Sequence, residues 1–299
     1  MIRFALILPI IAGILWGSVG FFVRILAAEG LDNLTILAAR TSMAAALLFV
    51  ALFVFRRDLL RIRPADLAIF IMSGVIGMLG LNICYNESIV RLTLSFSAVL
   101  LSLGPVFVIF FARLFFGEKV TARKIFCVAL AILGCVFVSG VLEHLPSGDL
   151  SALSIGIGIL SAVLYALYSI FSKMALLRGY HAVTILFYSL LAASLVSFWG
   201  AEWTSVLNMV DKSPAYGSLF LLLHAVCTAL LPYILFTCSL MYISPGTAAI
   251  LSSCEPAAAM FIGMIVFSEI PTMLNLAGML LTVIALVLLC LPERSSKKA

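Results

Sequence analysis

Ten times along the chain a stretch of roughly twenty residues passes with almost no charge. These runs fall near 4–26, 34–55, 67–90, 94–115, 122–141, 150–176, 182–201, 217–241, 246–267 and 274–292. A helix of about twenty apolar residues crosses the hydrocarbon core of a bilayer. Inside that core the backbone must satisfy its own hydrogen bonds, which only helices and closed barrels do. The runs are continuously apolar rather than alternating, so a barrel is excluded. With 64% hydrophobic and 10% charged residues, a water-soluble fold could not hide this surface. The expected fold is therefore an all-α integral membrane protein of ten transmembrane helices. The connections are short, which leaves no room for a soluble domain of useful size.

Charge placement orients the chain. With the N-terminus inside, the inner segments hold thirteen Lys and Arg residues, from Arg3 and the loop Arg56–Arg63 to Lys297 and Lys298. The outer segments hold two, Arg91 and Lys212. This positive-inside bias predicts that both termini are cytoplasmic in a multi-pass cell-membrane protein. The net charge of +5 is thus a topology signal, and scattered loop charges without a basic domain exclude nucleic acid as a partner. Arg24 and Lys173 lie near span ends and are read as snorkelling to headgroups. The first span is too long for a cleaved leader and is expected to be retained.

The chain contains one piece twice. At an offset of 149 residues Leu15 meets Leu164, Trp16 meets Tyr165, Phe22 meets Phe171, Arg24 meets Lys173 and Gly30 meets Gly179. At 151 residues Ile83 meets Ile234, Ser102 meets Ser253, Pro105 meets Pro256 and Glu118 meets Glu269. An accidental match would not hold a register over span after span. Five spans per copy is an odd number, so the second copy enters the membrane from the opposite side. The prediction is two inverted five-helix repeats, 1–145 and 146–292, followed by a basic cytoplasmic tail, 293–299. Inverted repeats recur in secondary transporters, where two equivalent packings expose a midplane site to alternate faces.

Where the copies differ, one residue stands out. The ninth span carries Glu255 near its middle, immediately before Pro256, and the matching position in the fourth span is Gly104. A carboxyl group at that depth is costly as an ion and is a candidate to bind and release protons or to pair with a cationic solute. The structural alternative is a protonated glutamate that donates to a carbonyl freed by the proline. Pro105 and Pro256 are expected to loosen or kink the fourth and ninth helices and are candidates for gating. Glu118 and Glu269, at span ends, are read as helix-end anchors. Arg40 sits about one and a half turns inside the second span and is a candidate to contact an anionic substrate group, to pair with Glu87 or to form an outer gate. Glu87 has a second possible partner in Arg91, four residues on.

Trp16-Gly17, Arg40, Pro105 with Gly117-Glu118, and Pro256 with Ser268-Glu269 resemble the two EamA-type domains of the drug/metabolite transporter superfamily. The resemblance covers nearly the whole chain. It implies a ten-helix transporter of small metabolites, often amino acids, amines or nucleoside-like compounds, and commonly an exporter in a bacterial inner membrane. It also implies a central cavity lined by the first, third and fourth spans of each half. Trp16, Asn82, Tyr85, Asn86, Tyr165, Tyr168, Tyr233 and Thr237 are the candidate lining residues, each with packing as the alternative. Together they describe a partly aromatic, weakly polar pocket suited to a small amphipathic or cationic solute. The sequence departs from the pattern at Ser189, where the second half lacks the arginine, and at Ser268, where it lacks the glycine.

The competing readings are weak. No HExxH, intramembrane aspartate pair or GxxxxGK[ST] is present, which argues against an enzyme and against direct ATP drive. The seven cysteines form no CxxC pair, and neither a metal nor another cofactor is expected. His224, alone in a span, is expected to satisfy a local hydrogen bond. A non-transporting scaffold or receptor is the alternative function, although short loops offer little partner surface. The expected partners are the lipid bilayer, a small-molecule substrate and protons, with the protein a monomer or weak dimer.

Overall fold

Uninterrupted apolar runs punctuated by capping residues become helices. The computed structural model describes residues 2–92, 94–142, 151–268 and 270–291. The junction loop 143–149, Glu269 and the tail 293–299 lie outside the described residues. The long helices are α1 (Phe4–Ala28), α2 (Asn33–Phe55), α3 (Pro64–Arg91), α4 (Phe96–Phe116) and α5 (Ala122–Val138), then α6 (Ala152–Leu177), α7 (Ala182–Gly200), α8 (Pro214–Ser239), α9 (Pro245–Phe267) and α10 (Met273–Cys290). Among the described residues nine of these are long and apolar enough to cross a membrane, and α5 is slightly shorter at 17 residues. Asp32, Thr121, Ser151, Ser244 and Thr272 start α2, α5, α6, α9 and α10, each side chain accepting from the backbone N–H three residues on.

The duplicated register reappears as duplicated irregularity. In α4 the first piece ends at Leu101 and the second starts at Gly104; in α9 the breaks fall 151 residues later, at Ser252 and Glu255. Pro105 and Pro256 take the second position of each new piece, where a missing N–H costs nothing. Both helices are therefore broken in two just before their prolines. The serines at the breaks turn back on the preceding turn: Ser102 donates to the Val99 carbonyl at 2.6 Å, and Ser253 to Ala249 at 3.0 Å. In α3 residues Met72–Gly80 are π-helical, and the π-helical stretch of α8, Val226–Leu230, falls inside the same register. One irregularity has no twin: α1 is interrupted at Ser18, whereas α6 runs through.

The packing is mirrored too. α1 packs on α8 and α9, as α6 packs on α3 and α4; α2 faces α7, and α5 lies along α10. Most cross-repeat contacts recur with the halves exchanged, the arrangement expected of inverted repeats, although α9 packs on α5 more closely than α4 does on α10. A short amphipathic helix absent from the sequence reading, Trp203–Lys212, buries Met209 against α2 and α8.

Both α4 and α9 end on a left-handed residue, Gly117 at φ 63° and Ser268 at φ 55°. Glycine adopts this conformation freely, whereas a side chain is strained there by about 1–2 kcal/mol. We expect Ser268→Gly to raise the melting temperature of the detergent-solubilised protein by a few degrees. An unchanged or lowered value would show that Ser268 makes a compensating interaction.

Candidate functional site

Small residues bring the helix centres together, and larger ones leave a cavity between the broken helices. The cavity holds about 570 Å³. Its deep end is formed by Trp16, Tyr165, Ser252 and Glu255. From there it extends to Arg24, Ile89, Ser139 and Thr272, all at helix ends on the face opposite that on which α1 starts. The near face, where α1 starts, is shut. There Glu118 and Lys124 form a largely buried ion pair, and Lys124 also donates to Ser244 at 3.1 Å. Asp66 accepts from Arg178 and, at 2.6 Å, from Tyr180, which ties the start of α3 to the turn between α6 and α7. Thr184 and Tyr188 of α7 donate to the carbonyls of Leu59 and Leu60 at 2.8 and 2.7 Å. The piece of α4 beginning at Gly104 packs on the piece of α9 ending at Ser252, so the two broken helices meet on the closed side.

Glu255 is the first residue of the second piece of α9. Its carboxyl thus lies at the positive end of a helix dipole, partly exposed to the cavity. Among the described residues it forms neither an ion pair nor a side-chain hydrogen bond. Tyr85, Tyr165 and Cys135 lie within electrostatic reach. The twin position is glycine for a visible reason: a Cβ on Gly104 would stand 2.7 Å from the Tyr165 ring. In the first half an aromatic ring occupies the space, and in the second half the space is left for a carboxyl group.

The lining contains Trp16, Tyr85, Asn86, Tyr165, Glu255, Pro105 and Pro256. Tyr165 is fixed by a 2.9 Å hydrogen bond between its hydroxyl and Ser252. Asn82, Tyr168, Tyr233, Thr237 and Arg40 stand one layer further back. Tyr233 meets Trp16 edge-on with centroids 5.1 Å apart and Tyr168 at 5.0 Å, and the Tyr168 hydroxyl bonds Thr237 at 3.1 Å. Arg40 donates to Asn82 Oδ1 at 3.0 Å, and Asn82 donates to the Met78 carbonyl at 2.7 Å.

Four sequence expectations need correction. Arg40 does not pair with Glu87, because Arg91, one turn along the same helix, takes that carboxylate at 2.6 Å. Arg24 does not simply reach for headgroups. It lines the cavity mouth, with its guanidinium 4.8 Å from the centre of the Phe267 ring. Lys173 turns inward and donates to the Leu240 carbonyl at the end of α8. His224 satisfies no local hydrogen bond: among the described residues neither ring nitrogen has a partner. Sequence reasoning also missed Ser252, Met260, Met264 and Asn275 in the lining. Apolar and small polar residues in a span look alike from sequence whether they face a cavity, lipid or protein.

Comparison with known proteins agrees with this architecture. The chain is 27% identical over 219 residues to the pseudopaline exporter CntI of Pseudomonas aeruginosa (strain UCBPP-PA14), 73% of each protein. It is 27% identical over 271 residues, 90% of each, to an uncharacterized transporter of Archaeoglobus fulgidus. A crystal structure of a protein 15% identical in sequence superposes with a TM-score of 0.72 over 95% of both chains, which shows a shared fold. The model of the EamA-like transporter family matches residues 3–140 and again 152–291. Two interlocked helical repeats, each matching that model, around one cavity: the chain belongs to the EamA-like transporter family.

Proposed function

We propose that the protein is a secondary transporter that exports a small amine or amino acid by alternating access, coupled to protons through Glu255. The observation that carries this reading is a carboxyl group, Glu255, at the deep end of a largely aromatic and apolar cavity, without an ion-pair partner among the described residues. Trp16, Tyr85 and Tyr165 supply π faces for a cationic head and apolar surface for a small body. A proton and a substrate ammonium compete for one carboxylate, and mutually exclusive occupancy is sufficient for exchange. The positive-inside bias puts the closed face in the cytoplasm, so the described state is open outward. In that state Glu255 releases a substrate cation and takes a proton. The inward-open state, reached by exchanging the packings of α4 and α9, reverses the step. The repeats of 1–145 and 146–292 are the bodies that would move, and the breaks before Pro105 and Pro256 are the hinge points. That the Pseudomonas aeruginosa relative is an exporter supports the direction of transport.

The test is flux. Purified protein in proteoliposomes is offered a panel of radiolabelled amino acids and amines, with and without an imposed pH gradient. The reading predicts that at least one of them accumulates in a gradient-dependent manner and not in protein-free vesicles. Failure of the whole panel, together with no effect of the gradient, would favour a non-transporting membrane protein.

A further inference from the structure

A second polar cluster lies behind the Trp16 layer. Arg40 is 7% exposed, yet its Nε has no hydrogen-bond partner, and among the described residues no carboxylate forms an ion pair with it. His224 of α8 is fully buried, both ring nitrogens lack hydrogen-bond partners among the described residues, and Arg40 is within electrostatic reach. Phe22 stacks on the imidazole with centroids 5.3 Å apart, and Tyr233 lies on the side of Trp16. A buried cation without a counter-charge, beside an unsatisfied imidazole, is an unfavourable arrangement.

The repeat shows that the two side chains belong together. The register that relates the halves carries Arg40 onto Ser189 and His224 onto Ser73. In that twin position Ser189 donates to Ser73 at 3.0 Å, so the two small hydroxyls satisfy each other fully buried. Where one of the two symmetry-related pairs is closed and neutral, the other is a guanidinium and an imidazole with three buried nitrogens that have no partner among the described residues. We propose that a compact monovalent anion binds between Arg40 and His224. It accepts from Nε–H of Arg40 and from a ring N–H of His224, and supplies the missing negative charge. The chemistry fits a halide or the carboxylate of a small organic ligand. The site is separate from the Glu255 cavity and does not depend on the reading given to it.

The experiment is a melting curve of the detergent-solubilised full chain in potassium gluconate, whose anion is too bulky for an enclosed site. Chloride or formate then replaces gluconate at constant ionic strength. Chloride stands for an inorganic ion and formate for an organic carboxylate. The proposal predicts that at least one of them raises the melting temperature, by about 2–4 °C at a concentration roughly tenfold to a hundredfold above its dissociation constant. Chloride alone assigns the site to a halide, formate alone to a carboxylate, and both to any compact monoanion. Arg40→Gln should abolish the shift. If that variant does not fold, His224→Leu, which retains the charge but loses a donor, should raise the anion concentration needed for a given shift about tenfold or more. Identical melting in all three salts, or a wild-type concentration dependence of the shift in His224→Leu, would overturn the proposal.

Discussion

Glu255→Gln is expected to abolish gradient-driven accumulation of substrate in proteoliposomes while leaving the protein folded. Glutamine keeps the size of the side chain and its place at the start of the second piece of α9, but cannot ionise. A charge-assisted hydrogen bond to a substrate ammonium contributes about 1.5–3 kcal/mol. Its loss should therefore weaken the binding of a cationic substrate about tenfold to a hundredfold. The effect on coupling should be larger still, because the variant resembles the protonated state at every pH. Residual flux should follow the substrate gradient only and show the same rate with and without a pH difference. The melting temperature should stay level or rise, since no group among the described residues pairs with the carboxylate and its desolvation disappears. Retained pH-driven accumulation in Glu255→Gln would remove Glu255 from the mechanism.

Gly17→Val should damage the fold as severely as any single substitution near the cavity. A Cβ on Gly17 would lie 2.7 Å from the Ala258 Cβ and 2.8 Å from the Glu255 carbonyl oxygen. Both atoms belong to the piece of α9 that presents Glu255, so the clash is with helix backbone and cannot be relieved by turning a side chain. Overpacking of this kind costs about 1–3 kcal/mol, and here it also pushes Glu255 from the site. The contrast is Gly20→Ala, one turn along α1, where nothing lies within 4 Å of the added carbon. We expect Gly17→Val to lower the melting temperature by several degrees and Gly20→Ala to leave it level or raise it. Equal losses in both would mean that helix irregularity in α1, rather than its approach to α9, governs stability.

How much of this was legible in the sequence follows from what kind of information each feature carries. The spans were legible because the solvent is hydrocarbon and demands length and apolarity. The repeat was legible because two copies folded by the same rules keep the same serines and prolines at the same register: Ser102 and Ser253 mark the breaks, Pro105 and Pro256 the restarts. Glu255 was legible as an unlikely residue in its setting. Contacts between spans were not. The i, i+4 spacing offered Arg91 to Glu87, but nothing in the order of residues told that Arg40 would turn to Asn82 of α3 instead, or that His224 of α8 would come within its electrostatic reach. Pairings of this kind depend on helix rotation, which the even hydrophobicity of a membrane span does not encode. The interruption of α1 at Ser18 is likewise silent in sequence, because serine within a helix is common and its hydroxyl bonds the carbonyl three residues back, as Ser161 does in the unbroken α6.

The central claim is that the closed face must open for transport. On that face a Cβ on Gly246 would stand 2.8 Å from Ile109 Cγ1, close enough for a pair of introduced cysteines to join across the two broken helices. Ile109→Cys/Gly246→Cys, oxidised in proteoliposomes, should lose flux of the identified substrate, and a reductant should restore it; each single variant should transport under both conditions. Unchanged flux through the oxidised double variant, with the disulfide verified by mass spectrometry, would contradict alternating access.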